Sequence, residues 1–73
     1  MNVMVVARRV LGEFKEMPGM ALTPRQASRF FGLSDDDCRK VIDVLVDGEY
    51  LQRTLAGKVT LGGRGRSADS IAA

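Results

Sequence analysis

The chain has 73 residues, the size of one small domain, and 45% of them are hydrophobic, as in folded globular proteins. It has a net charge of +2, no histidine and one cysteine, so we expect no disulfide within the chain, no zinc site and no acid–base catalysis by imidazole. The apolar start is followed, not preceded, by Arg8 and Arg9, and it is too short to cross a membrane. We therefore expect a cytoplasmic protein that needs no cofactor or metal and is not an enzyme.

The first predicted helix covers residues 3–17. Apolar residues in it recur at steps of three and four, so they share one helical face. They are Val3, Val6, Val10, Phe14 and Met17. Met4 and Val5 lie beside that face and make the segment more apolar than one buried face requires. We expect these two residues to form a homodimer interface; the alternative is that they fray or cover the base of the hairpin described below.

The second predicted helix begins at Pro24, because proline is favoured at the first helical position, and runs to about Phe31. Thr23 and Gln26 have the spacing of a capping box, in which each side chain accepts a hydrogen bond from the other residue's backbone N–H. Gly32 ends the helix, since glycine readily adopts the left-handed conformation that closes helices. The expected core contacts of this helix are Ala27, Phe30 and Phe31.

The third predicted helix begins after Ser34, a favoured capping residue, and ends near Gly48. Asp37 follows the cap by three residues, which is the position of a capping-box acceptor. One apolar stripe runs along the helix and should face the core. Its members are Cys38, Val41, Ile42 and Leu45. In this position the single cysteine acts as a small hydrophobic residue.

Two short strands are predicted next, at residues 50–54 and 58–61, and the short connection containing Gly57 makes them a β-hairpin. The composition then changes to glycine, serine and charged residues. We therefore assign residues 1–61 to the folded domain and residues 62–73 to a flexible tail.

The segment at residues 31–34 joins its two helices as the turn of a helix-turn-helix does, with small Ser28 four positions before the turn glycine, Gly32. Together with the helix-to-strand junction at residues 47–53, this pattern resembles MarR-type and related winged-helix transcriptional regulators. The resemblance implies an α+β fold, a three-helix winged helix-turn-helix with a two-stranded β-hairpin wing. The chain departs from the family at Glu49, where the family usually has a glycine.

The resemblance further implies duplex DNA as the partner, with the third helix in the major groove. Arg39 and Lys40 would read guanine edges or bind phosphates. Basic residues of the second helix and the wing would hold the phosphate backbone. These residues are Arg25, Arg29, Arg53 and Lys58. Arg64 and Arg66 belong to a Gly-Arg-Gly-Arg run that resembles the core of an AT-hook, a minor-groove motif. The alternative for the four residues of the second helix and the wing is a solvated surface with scattered charge, and the alternative for Arg64 and Arg66 is a disordered terminus.

The charge distribution favours a second function. Residues 34–50 carry six acidic and two basic side chains, whereas the segment before them carries two acidic and five basic, and the segment after them one acidic and four basic. DNA repels the acidic element that the resemblance places in its groove. The alternative function is a winged-helix protein-interaction module, which presents the acidic third helix and the apolar first helix to other chains. The aspartates at residues 35–37 are also explained by the helix dipole, which favours negative charge at a helix amino terminus.

Overall fold

The computed structural model describes residues 2–65, and its main elements follow the predicted chain order. They are α1 (Val3–Glu16), α2 (Pro24–Phe31), α3 (Asp35–Asp47), β1 (Leu51–Arg53) and β2 (Val59–Leu61). The architecture is α+β, in which the helices pack with a two-stranded antiparallel hairpin. In this part of the chain, no helix has both the length and the apolar character that crossing a membrane requires.

Local capping interactions define where the helices begin. α1 starts after Asn2, whose side-chain oxygen accepts hydrogen bonds from two backbone N–H groups of the first turn. The predicted capping box of α2 is confirmed: Thr23 Oγ1 accepts from the Gln26 N–H at 3.1 Å, and Gln26 Oε1 accepts from the Thr23 N–H at 2.9 Å. Ser34 caps α3 by accepting from the Asp37 N–H at 3.1 Å. These contacts satisfy backbone donors that a helix end otherwise leaves unpaired.

The hydrophobic core lies where α1 crosses α3 and both helices meet the hairpin. Its buried residues are Ala7, Val10, Phe14, Ala27, Cys38, Val41, Ile42, Leu45, Leu51, Val59 and Leu61. The whole predicted apolar stripe of α3 belongs to this set. The core therefore uses one face of each long helix and leaves the opposite face of α3 in solvent.

Phe30 was expected in the core, and this prediction is wrong because 52% of the residue is exposed. Ala27 and Phe31 are one turn apart and face the core, and Phe30 lies about 100° around the helix from Phe31. The Phe30 ring instead packs edge-on against the Phe31 ring, with centroids 4.9 Å apart. An exposed aromatic side chain therefore stands on α2.

The hairpin is tied to the connection between α1 and α2. Its register pairs Leu51 with Leu61, Gln52 with Thr60, and Arg53 with Val59. On the other side of β2, Leu22 forms an isolated antiparallel bridge with Val59 through backbone hydrogen bonds of 3.0 and 2.6 Å. The Thr60 hydroxyl adds a hydrogen bond to the Met20 carbonyl at 2.9 Å. β2 is thus paired with β1 along one edge and bridged at Val59 on the other, and backbone contacts join the hairpin to the connection between α1 and α2.

Residues 62–65 are packed, although they were assigned to a flexible tail. The Gly62 N–H donates to the Tyr50 carbonyl at 2.8 Å, the Arg64 N–H donates to the Glu49 carbonyl at 3.0 Å, and residues 63–65 have helical geometry. Gly62 and Gly65 are buried, and a Cβ atom on Gly65 would lie 2.7 Å from both Leu61 Cδ1 and the Tyr50 carbonyl oxygen. The folded part therefore extends past the expected boundary at residue 61. The rest of the assigned tail lies outside the described residues.

Candidate nucleic-acid interface

A buried polar contact fixes α2 against α3. Ser28 is 6% exposed, and its hydroxyl oxygen lies 3.0 Å from both the Arg25 carbonyl and a carboxylate oxygen of Asp35, so it can donate to either. The Cys38 thiol donates to the Pro24 carbonyl at 3.7 Å. Burial, with a smaller contribution from the Asp35 charge, raises the pKa of the Cys38 thiol, which keeps it protonated at neutral pH. The two helices therefore meet with a defined angle and register.

Three of the predicted DNA-binding arginines line one open groove of ≈ 400 Å³ between the start of α2, the part of α3 from Asp35 to Asp43, and β1. They are Arg25, Arg39 and Arg53, and all are exposed. Two carboxylates, those of Asp35 and Asp43, line the same groove. Three guanidinium groups and two carboxylates give the groove a net charge of +1. We refer to it below as the arginine groove.

Arg53 forms an ion pair across this groove. Its Nη2 atom lies 2.6 Å from Oδ1 of Asp43, so a strand residue is joined to a residue of α3. The side chains remain 47% and 58% exposed, respectively. An exposed ion pair of this kind contributes only about 0–1 kcal/mol to stability. Arg53, expected to hold DNA phosphates, therefore already binds a carboxylate in this structure.

The outward face of α3 is mainly acidic. The side chains that point away from the core at steps of four, three and four are those of Asp36, Lys40, Asp43 and Asp47, and all are exposed. Three carboxylates thus flank the one ammonium group on this face. Arg39 lies at the edge of the face, toward the arginine groove. A nucleic acid lying along α3 would meet repulsion at its centre and attraction at its edge.

The other predicted phosphate contacts lie outside the arginine groove. Arg29 is one turn after Arg25, and the two line an open recess on the exposed side of α2. Lys58 is exposed at the end of the hairpin loop, where Thr54 donates its N–H to the Lys58 carbonyl at 2.8 Å. Gly57 has a φ of +78°, which suits the left-handed position of a three-residue hairpin loop. These two cations are therefore available in solvent but do not line the arginine groove.

The predicted minor-groove residues are only partly described. The Arg64 guanidinium carbon lies 5.6 Å from the centroid of the Tyr50 ring, which is a cation–π distance. This contact places Arg64 beside the junction of α3 and β1, and it does not line the arginine groove. Arg66 lies outside the described residues.

The exposed apolar residues are distributed over several elements. Met4 and Val5, the expected dimer interface, are 61% and 64% exposed at the start of α1. Phe30 is exposed on α2 beside Arg9 and Glu13 of α1, with which it lines an open recess. Leu55 at the hairpin tip is fully exposed. The solvent exposure of Met4 and Val5 is a precondition for an interface.

Asp43 is the residue of the groove whose partner could not be predicted from the sequence. In the sequence it is one of the six acidic residues between positions 34 and 50, and no local pattern gives it a partner. Asp43 and Arg53 are ten positions apart and belong to different elements, so no local spacing signals their pairing. Their opposite charges were visible in the sequence, but only the packing of β1 beside α3 brings them together.

Comparisons of the chain with protein-family models, with curated proteins and with solved structures found no match. The class of the protein therefore has to be argued from its residues and their geometry.

Proposed function

We propose that the domain is a cytoplasmic winged helix-turn-helix module that binds duplex DNA in transcriptional control, without enzymatic activity. The observation that carries the proposal is the arginine groove, in which guanidinium groups from α2, α3 and β1 line one open surface beside the exposed face of α3. Binding of the phosphate backbone requires such a set of cations, and arginine is suited to phosphate because its planar fork donates bidentately.

The fold supports the same proposal. α2 and α3 are joined by a short turn in which Gly32 has a left-handed φ of +68°, and the hairpin follows α3 directly. In helix-turn-helix proteins the second helix of the motif enters the major groove. In this arrangement Arg39 and Lys40 reach base edges or adjacent phosphates, and the cations of α2 and the hairpin hold the backbone. We further propose that the protein binds as a homodimer through Met4 and Val5.

The test is fluorescence anisotropy of a labelled mixed-sequence duplex at several salt concentrations. Contacts to about four to six phosphates predict that log affinity falls against log salt with a slope of about −3 to −6. Arg39→Ala and Lys40→Ala should each weaken binding by about 1–3 kcal/mol if they contact bases, and less if they contact phosphates only. Arg8→Ala, which removes one exposed cation of α1 outside the groove, serves as the matched control and should have a smaller effect.

A protein-interaction function is the second candidate, because carboxylates dominate the outward face of α3. In that function the surface formed by Asp36, Asp43 and Asp47 binds a basic partner protein. Absence of duplex binding at tens of micromolar protein in low salt, together with wash-through on heparin at about 100 mM salt, would favour this candidate over DNA.

A further inference from the structure

We infer that the arginine groove is the phosphodiester-binding site of the domain and that Asp43 occupies part of it in the free protein, so that DNA binding exchanges the Asp43 carboxylate for a backbone phosphate at Arg53. This inference rests on the proposed DNA binding and adds to it a residue that limits affinity. Asp43 acts here as an internal competitor of the phosphate.

The geometry of the ion pair allows this exchange. Nη2 of Arg53 contacts Oδ1 of Asp43 at 2.6 Å, and the described contacts of Arg53 use no other guanidinium nitrogen. Roughly half of each side chain remains in solvent. An incoming phosphate can therefore reach the guanidinium group without a backbone movement, and it offers the fork geometry that arginine binds bidentately.

The two carboxylates of the groove are not equivalent. Asp35 accepts from the buried Ser28 hydroxyl and lies in the first turn of α3, where the helix dipole stabilises negative charge. Asp35 thus has a structural role in joining α2 to α3. Asp43 lies in the middle of α3, and its described polar contact is Arg53 alone. Removing the Asp43 charge would raise the net charge of the groove from +1 to +2.

Asp36 is the matched control. It belongs to the same outward face of α3 and is exposed, but it does not line the arginine groove. Asp36→Asn therefore measures the relief of general repulsion between α3 and DNA. Asp47 is unsuitable because it lines a neighbouring recess together with Arg53. The change in duplex affinity caused by Asp43→Asn, minus the change caused by Asp36→Asn, therefore measures the effect of releasing Arg53.

The experiment compares duplex binding by the wild type, D43N, D36N, R53Q and the D43N/R53Q double variant, using anisotropy at about 50 and 200 mM salt. We expect D43N to bind about fivefold more tightly than the wild type and D36N no more than about twofold, with the salt slope of D43N close to that of the wild type because Arg53 contacts the phosphate in both complexes. When Arg53 is replaced as well, the increase in duplex affinity caused by D43N should fall to the increase that D36N causes. Thermal unfolding of each variant checks that the exposed substitutions leave the fold intact.

Two other outcomes are decisive. The inference fails, while the proposed function stands, if D43N raises the affinity for the duplex no more than D36N does, or lowers it. It also fails if D43N raises the affinity equally with Arg53 present and in the R53Q background. In each case Asp43 does not compete for Arg53. If neither the wild type nor D43N binds duplex at low salt, the proposed function itself fails, and the inference fails with it.

Discussion

At the scale of single residues, Glu49 is the position where conformation and residue type disagree. Its φ is +66°, in the left-handed region that glycine adopts without strain and other residues enter at a cost of about 1–2 kcal/mol. The Glu49 N–H donates to the Val46 carbonyl at 3.0 Å, and the Tyr50 N–H donates to the Leu45 carbonyl at 2.9 Å. This hydrogen-bond pair is a Schellman motif, which needs a left-handed residue directly after the C-cap, here Gly48. α2 ends in the same way, but on Gly32.

Glu49→Gly should therefore stabilise the domain by about 0.5–1 kcal/mol, since relief of the backbone strain exceeds the added flexibility of the unfolded chain. Urea unfolding followed by circular dichroism measures the change. Glu49→Ala is the control, because it removes the same charge and keeps the strained conformation. Equal stabilisation by both substitutions would show that charge, and not backbone strain, is responsible.

At the scale of elements, the segment after β2 is packed because its glycines permit close approach. A Cβ on Gly65 would meet Leu61 Cδ1 and the Tyr50 carbonyl oxygen at 2.7 Å, and a Cβ on Gly62 would meet the Glu49 carbonyl oxygen at 2.6 Å. Gly63 has no atom within 4 Å of its Cβ position. Glycine in this segment therefore serves packing at two positions, and composition alone does not separate this use from flexibility.

Gly65→Ala should destabilise the domain by about 1–3 kcal/mol, since the added methyl group forces the segment away from β2 and Tyr50. Gly63→Ala makes the same chemical change where space is free and should have little effect or stabilise slightly. Guanidinium unfolding of the two variants side by side tests this. Similar midpoints for Gly65→Ala and the wild type would contradict the packing of residues 62–65.

At the scale of the whole molecule, the chain separates its charges and leaves apolar residues in solvent. Carboxylates dominate the outward face of α3, whereas cations lie on α2, along the arginine groove and at the hairpin. A domain of this size buries a modest fraction of its unfolded surface, so its stability should be about 4–11 kcal/mol. Self-association that covers Met4 and Val5 would bury more apolar surface and so add to this small free energy of unfolding.

We expect sedimentation velocity at micromolar concentration to detect a dimer, and Met4→Ser combined with Val5→Ser to shift the population toward the 7.9 kDa monomer. The reason is that both side chains are more than half exposed on one helix end and lose contact area when truncated. Phe30→Ser is the control, because Phe30 is also a more than half-exposed apolar residue but lies on α2, and this substitution should leave the mass unchanged. A clean monomer for the wild type would contradict the dimer.

The sequence by itself determined the three helices, the amino-terminal caps of α2 and α3, and the buried stripe of α3. These features depend on interactions between residues one to four positions apart, such as the Thr23–Gln26 capping box, and on helical periodicity, so they can be predicted without the fold. The predicted DNA-binding residues were selected by charge and by position in the resembling pattern, and their role stays a prediction. For the residues that the structure describes, exposure agrees with that selection.

Only the tertiary structure decided which of those residues lie close together. It joined Arg53 to Asp43, gathered three arginines into one groove, paired Leu22 with Val59, and packed residues 62–65 against the end of α3. It also turned Phe30 away from the core. Each of these outcomes depends on contacts between elements that are distant in the chain. The geometry of those contacts is set by how the helices and the hairpin pack around one small core, and local sequence patterns do not determine it.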